Sequence, residues 1–105
     1  MKIYEGKDEN GKLLYFEVPN TFLFRSSAIK VINSIPGVEI LSKTKRNDVF
    51  CTFSLGNRIF EIMEPFGDNS RFHIGEKEAK ESNELETIEN YFSAYKQWPL
   101  SFFSR

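Results

Sequence analysis

Hydrophobic and polar positions alternate most regularly between Asp48 and Gly75, where the chain reads as three antiparallel strands joined by two turns. Leu55-Gly56-Asn57-Arg58 is a two-residue hairpin signal, because Gly and Asn tolerate the positive φ of a tight turn. Pairing Leu55 with Arg58 sets Phe53 opposite Phe60 and Cys51 opposite Ile62. Side chains alternate between faces, so Val49, Cys51, Phe53, Phe60 and Ile62 are expected on one apolar face. The second turn, Pro65 to Ser70, is rich in turn formers. Matching apolar to apolar across it pairs Ile62 with Phe72 and Phe60 with Ile74; a one-residue slip would turn Arg71 and His73 inward. The opposite face then carries Phe50, Thr52, Ser54 and Ile59, followed by Glu61, Met63, Arg71 and His73. In this register Thr52, Glu61 and His73 form a row.

The flanking segments complete the order. Lys2–Glu5 and Lys12–Val18 read as a hairpin around the polar stretch Gly6 to Gly11, with Leu14, Phe16 and Val18 alternating against Leu13, Tyr15 and Glu17. After Pro19, an N-cap at Asn20 or Thr21 opens a helix running to about Ser34; Ser26 and Ser27 leave a later start open. Its inward stripe is Phe24, Ala28, Val31, Ile32 and Ile35, and Pro36-Gly37 ends it. Val38 to Thr44 is a short strand. Beyond the polar run after Gly75, Ser82 is a candidate cap for a second helix, with Leu85, Ile88, Phe92 and Tyr95 as its stripe and Tyr91 widening it. The tail after Pro99 holds Leu100, Phe102 and Phe103, expected to pack back on the domain or else to dock on a partner.

The order β-β-α-β-β-β-β-α implies an α+β fold: a mainly antiparallel sheet with both helices packed on one face and the other face open. At 105 residues this is expected to be a single domain, 1–105, with a core filled by its 11 Phe and 4 Tyr.

Charge and cysteine usage narrow the function. Lys plus Arg is 14 and Asp plus Glu 15, a net charge of −1 that speaks against a dedicated nucleic-acid binder. Residues 1–50 carry eight basic and six acidic groups, residues 51–105 six and nine, and six of the acids lie between Glu76 and Glu89. That segment suits either a solvated helix face or a patch for a basic partner. The basic group Lys43, Lys45 and Arg46 lacks an aromatic stacking platform and reads as a solvated turn. A single Cys51 permits no internal disulfide, and its inward position suits a small apolar filler. Neither a signal peptide nor a membrane-spanning run is read, so a soluble cytoplasmic protein is the expectation.

Candidate chemistry centres on the open face. A carboxylate beside an imidazole orients it for acid–base work, and Arg71 can hold an anion. Yet Glu61 stands between Thr52 and His73 in the expected row, which separates the imidazole from the hydroxyl it would activate. A cross-strand Glu–His pair on a solvated face accounts for the same residues. One His, one inward Cys and scattered carboxylates have no metal-ligand spacing, and no cofactor motif is present. The turn around Gly67 reads as self-stabilised or as a rigid loop presenting Phe66 and Asp68. The expectation is a small non-catalytic protein-binding domain, an inhibitor or immunity-type protein being one form. Its candidate binding residues are Glu61, Phe66, Asp68, Arg71 and His73. No nucleic acid or membrane is expected as partner, and a homodimer is a further reading. The alternative is a small enzyme or ligand-binding domain using the open face around His73, Glu61 and Arg71.

Overall fold

The structure is a computed structural model that describes residues 2–20, 23–64, 71–78 and 83–95. Among the described residues, six strands and two helices follow one another as β1 (Tyr4–Lys7), β2 (Leu13–Pro19), α1 (Arg25–Asn33), β3 (Glu39–Lys43), β4 (Val49–Leu55), β5 (Arg58–Met63), β6 (Arg71–Glu76) and α2 (Asn83–Ala94). The strands form one antiparallel sheet in the order β1-β2-β6-β5-β4-β3. Two hairpin systems build it. β3 to β6 run as a meander, and the β1–β2 hairpin closes onto β6. α1 carries the chain from β2 to the far edge, where β3 lies.

The alternation of side chains makes the centre of one face apolar. Phe16, Ile74, Ile62 and Cys51 form an inner row across β2, β6, β5 and β4. Val18 lies opposite Phe72 in the same layer, and Phe60 opposite Phe53. Against this face pack Ala28, Val31 and Ile32 of α1 and Leu85, Ile88 and Phe92 of α2, all in one buried cluster. Phe16 meets Phe92 edge-on with ring centroids 5.7 Å apart, the geometry favoured by the ring quadrupoles. The α+β arrangement with both helices on one face is therefore the fold. Among the described residues, no helix is long and apolar enough to cross a membrane.

The first hairpin of the central stretch has the expected register, with Leu55 paired to Arg58 and Gly56 at φ 64° in the turn. The second does not. Ile62 pairs with Ile74, Phe60 with Glu76 and Glu61 with Gly75, a shift of two residues from the Ile62–Phe72 and Phe60–Ile74 pairs expected. A shift of two keeps every side chain on its own face, so apolar matching alone does not separate the registers. Phe50 differs as well. A bulge between Val49 and Cys51 turns it inward, where it is 1% exposed and meets Phe72 with ring centroids 5.2 Å apart.

The helices also depart from their expected limits. α1 starts at Arg25, after an extended Phe24 that supplies no side-chain cap. Asn20 instead donates from Nδ2 to Glu64 Oε2 at 2.8 Å. Phe24 thus stands just outside the helix and is 72% exposed rather than part of the inward stripe. Tyr91 of α2 is likewise exposed, while Leu85, Ile88 and Phe92 are buried and Tyr95 packs against the core as expected. The candidate caps Thr21 and Ser82, and the tail from residue 96, lie outside the described residues.

Candidate functional site on the outer face of the sheet

The outer face is half-buried to exposed at every side chain larger than glycine, and its rows follow from the register. One row is Tyr4, Glu17, His73, Met63 and Val49 across β1, β2, β6, β5 and β4. The next is Gly6, Tyr15, Gly75, Glu61, Thr52 and Ser42. Thr52 and Glu61 are neighbours, as expected, but the residue beyond Glu61 is Gly75. The row Thr52–Glu61–His73 does not exist. The carboxylate beside His73 is Glu17, brought by the N-terminal hairpin.

Around His73 the β1–β2–β6 half of the face is tied together. The Tyr15 ring stacks on the imidazole with centroids 4.6 Å apart and planes 25° from parallel. Tyr15 has Gly6 and Gly75 as its cross-strand partners, and these glycines leave room for it. A Cβ on Gly6 would fall 2.2 Å from the Tyr15 ring, so any larger residue there would displace the ring. Arg71 lies over the Tyr4 ring with its guanidinium carbon 3.6 Å from the centroid, and Nη1 donates to Glu17 Oε1 at 3.3 Å. Lys2 approaches the same tyrosine at 5.1 Å. Burial of the imidazole pulls the His73 pKa below its ordinary value, while the Glu17 charge acts in the opposite sense. A neutral ring stacked on tyrosine is the state this environment favours.

Glu61, Arg71 and His73 thus share a face, but Glu61 belongs to a different row from His73. Phe66 and Asp68 lie outside the described residues. The residues that sequence reasoning left out are Tyr4, Tyr15 and Glu17. The alternation of the second strand did separate Tyr15 and Glu17 from the inward Phe16 and Val18, but only the pairing of β2 with β6 carries them to His73.

The acidic segment is not a uniform patch. Arg58 grips Glu76 in a bidentate pair, Nε to Oε1 at 3.0 Å and Nη2 to Oε2 at 2.9 Å, and the Glu76 side chain is only 8% exposed. Glu84 folds toward the β4–β5 turn, where a Cβ on Gly56 would sit 3.4 Å from its Cγ. Glu89 neighbours Glu5, which the register puts on the helix-facing side of β1 opposite Phe16. Burial and the neighbouring carboxylate push Glu89 up to about 7, while the hydrogen bond from Glu89 lowers Glu5. Glu76, Glu84 and Glu89 are therefore engaged with the fold.

Cys51 is buried in the core, and desolvation pushes its thiol up to about 11, which suits a packing residue rather than a nucleophile. Among the described residues, no group of three His, Cys, Asp or Glu side chains is placed to hold a metal ion. Two clefts lie elsewhere, one beside Arg58 and Glu76 and a larger one along α1; neither is lined by Glu61, Arg71 or His73. No protein-family model, curated protein or solved structure matches the chain.

Proposed function

We propose that this chain is a small binding module that holds a protein partner through the outer face of β1, β2 and β6. The observation that carries the reading is the layer in which Tyr15 stacks on His73 while Arg71 bridges Tyr4 and Glu17. Tyr and Arg are the side chains most often found as interface anchors, and rings already held in place lose little freedom on binding. Tyr15 keeps 38% of its surface exposed despite that packing, so a partner has an anchor to bury. A stand-alone inhibitor or immunity-type protein in the cytoplasm is one form of such a module, and its single cysteine suits a reducing compartment.

The test is affinity purification from the native host with the wild-type chain, Tyr15→Ser and Arg71→Glu, each checked for folding by circular dichroism. A partner recovered by the wild type is expected to bind each variant weaker by about 2 kcal/mol, roughly thirtyfold. Equal recovery by both variants would remove the outer face from the reading. Self-association of the wild type in sedimentation, lost in the variants, would make the partner a second copy.

A second reading rests on the lowered pKa of His73, which keeps a neutral imidazole as a potential base. In that case Glu17, not Glu61, is the carboxylate facing it. A small molecule whose binding or turnover His73→Asn abolishes, with the fold intact, would favour this over partner binding.

A further inference from the structure

The larger cleft has a volume of about 990 Å³ and runs along α1 on the side away from the outer-face layer. One of its walls is a helical stripe, Arg25, Ile29 and Asn33 at four-residue spacing with Ser26 and Lys30 beside it. The facing wall comes from Lys43, Thr44 and Lys45 at the end of β3, with Phe50 between. Phe24, at 72% the most exposed of the large apolar residues described, stands at its mouth.

Arg25 braces the two walls. Its Nη2 pairs with Glu64 Oε1 at 2.8 Å, its guanidinium lies 4.7 Å from the Phe50 ring centroid, and Nη1 donates to the Lys45 and Asn47 carbonyls at 3.4 and 3.2 Å. The cleft is therefore formed by the fold in advance of any occupant. Its charge is one-sided. Lys30, Lys43 and Lys45 are exposed at the rim, no Asp or Glu is among the described residues lining it, and none of the ion pairs among the described residues involves these three lysines. The basic group around Lys43 and Lys45, which reads as a plain solvated turn in sequence, is here joined by Lys30 and by an apolar floor.

We infer that this cleft is a second docking site, for an acidic segment of a protein partner that carries aromatic or aliphatic anchors. The anchors seat against Phe24, Ile29 and Phe50, and the acids face Lys30, Lys43 and Lys45. Charge complementarity selects this occupant. The chain's own residues 96–105 carry Lys96 and Arg105 and no Asp or Glu, the same sign as the rim. A nucleic-acid backbone would meet the lysines but leave the apolar floor unused. The inference is independent of the outer face, since none of Tyr4, Tyr15, Glu17, Arg71 and His73 lines the cleft.

Selection of a random-peptide display library on the immobilised full chain tests it. Enriched peptides are expected to combine several Asp or Glu with Phe, Leu or Trp, and to bind more weakly as salt rises. Their affinity should fall about tenfold or more for Lys43→Glu/Lys45→Glu and for Phe24→Asp, all exposed positions, and stay unchanged for Tyr15→Ser. Enrichment of neutral or basic peptides, equal binding by the cleft variants, or a cleft that takes up oleate while selecting no peptide would each overturn it. So would dimerisation of the wild type that Phe24→Asp abolishes.

Discussion

On one side of the sheet Phe16, Ile74 and Ile62 make a row across three strands; one residue along each strand, on the other side, the row is Glu17, His73 and Met63. The first row is buried against two helices and held by dispersion and the hydrophobic effect, which have no preferred direction. The second is half-exposed and depends on directed contacts, a ring stack and an ion pair lying over a tyrosine. The inner face tolerates any neighbour that is apolar and fills the space. The outer face works only with particular neighbours. That difference separates what supplies stability from what is available for recognition.

The largest expected break in the comparison is Phe60→Ala. Phe60 is fully buried and stacks on Phe53 with centroids 5.5 Å apart, so its truncation should cost about 3–5 kcal/mol in denaturant unfolding. The same variant should speed labelling of the Cys51 thiol, which the native core protects. A loss under about 1 kcal/mol would mean that the inner face is not the main source of stability.

Acid and base should separate the two faces next. Glu89, against Glu5 beside α2, has a folded pKa of about 7 in place of 4.5, so its protonated form is favoured by folding. Its contribution is full below about 4.5 and is lost as pH rises through about 7. His73 has the opposite sense. Its folded pKa is lowered from 6.5, so its contribution is full above that value and is lost as pH falls through the folded pKa. Thermal melts from about pH 5 to about pH 8 should show a fall in stability at the alkaline end that Glu89→Gln removes. An identical alkaline fall in Glu89→Gln would mean that the Glu89 carboxyl is not its cause.

Smaller effects belong to the outer layer. Tyr15→Ala should uncover the imidazole and let the His73 pKa rise toward 6.5 in an NMR titration; an unmoved pKa would show that the tyrosine is not what shields it. Arg71→Gln, at a side chain 37% exposed, should cost only about 0.5–1 kcal/mol in stability. If outer-face substitutions prove as costly as Phe60→Ala, the division between a stabilising face and a presenting face fails.

The site was legible in the sequence only in pieces. Arg71 and His73 could be put on the open face by alternation, and so could Glu61. Their neighbours could not. Tyr4, Tyr15 and Glu17 lie more than fifty positions upstream of His73, and no local pattern states that β2 pairs with β6. The cleft along α1 was hidden for a related reason. Phe24 matched the helical stripe by spacing, but the helix begins one residue later and leaves it at the rim. Phe50 matched the outer face by alternation until a bulge reversed it.

The chain by itself determined the order of elements, the Gly56 hairpin, the inward stripes Ala28–Val31–Ile32 and Leu85–Ile88–Phe92, and which face of β4, β5 and β6 is apolar, Phe50 excepted. Those features rest on local turn chemistry and on period, both carried by neighbouring residues. Tertiary structure alone decided which outer-face side chains meet. The expected and observed registers of β5 against β6 bury the same residues, and hydrophobic burial is indifferent between them. Closure of the whole sheet, with β6 fitted between β5 and the N-terminal hairpin, is what sets Gly75 rather than His73 beside Glu61 and delivers Glu17 and Tyr15 to the imidazole.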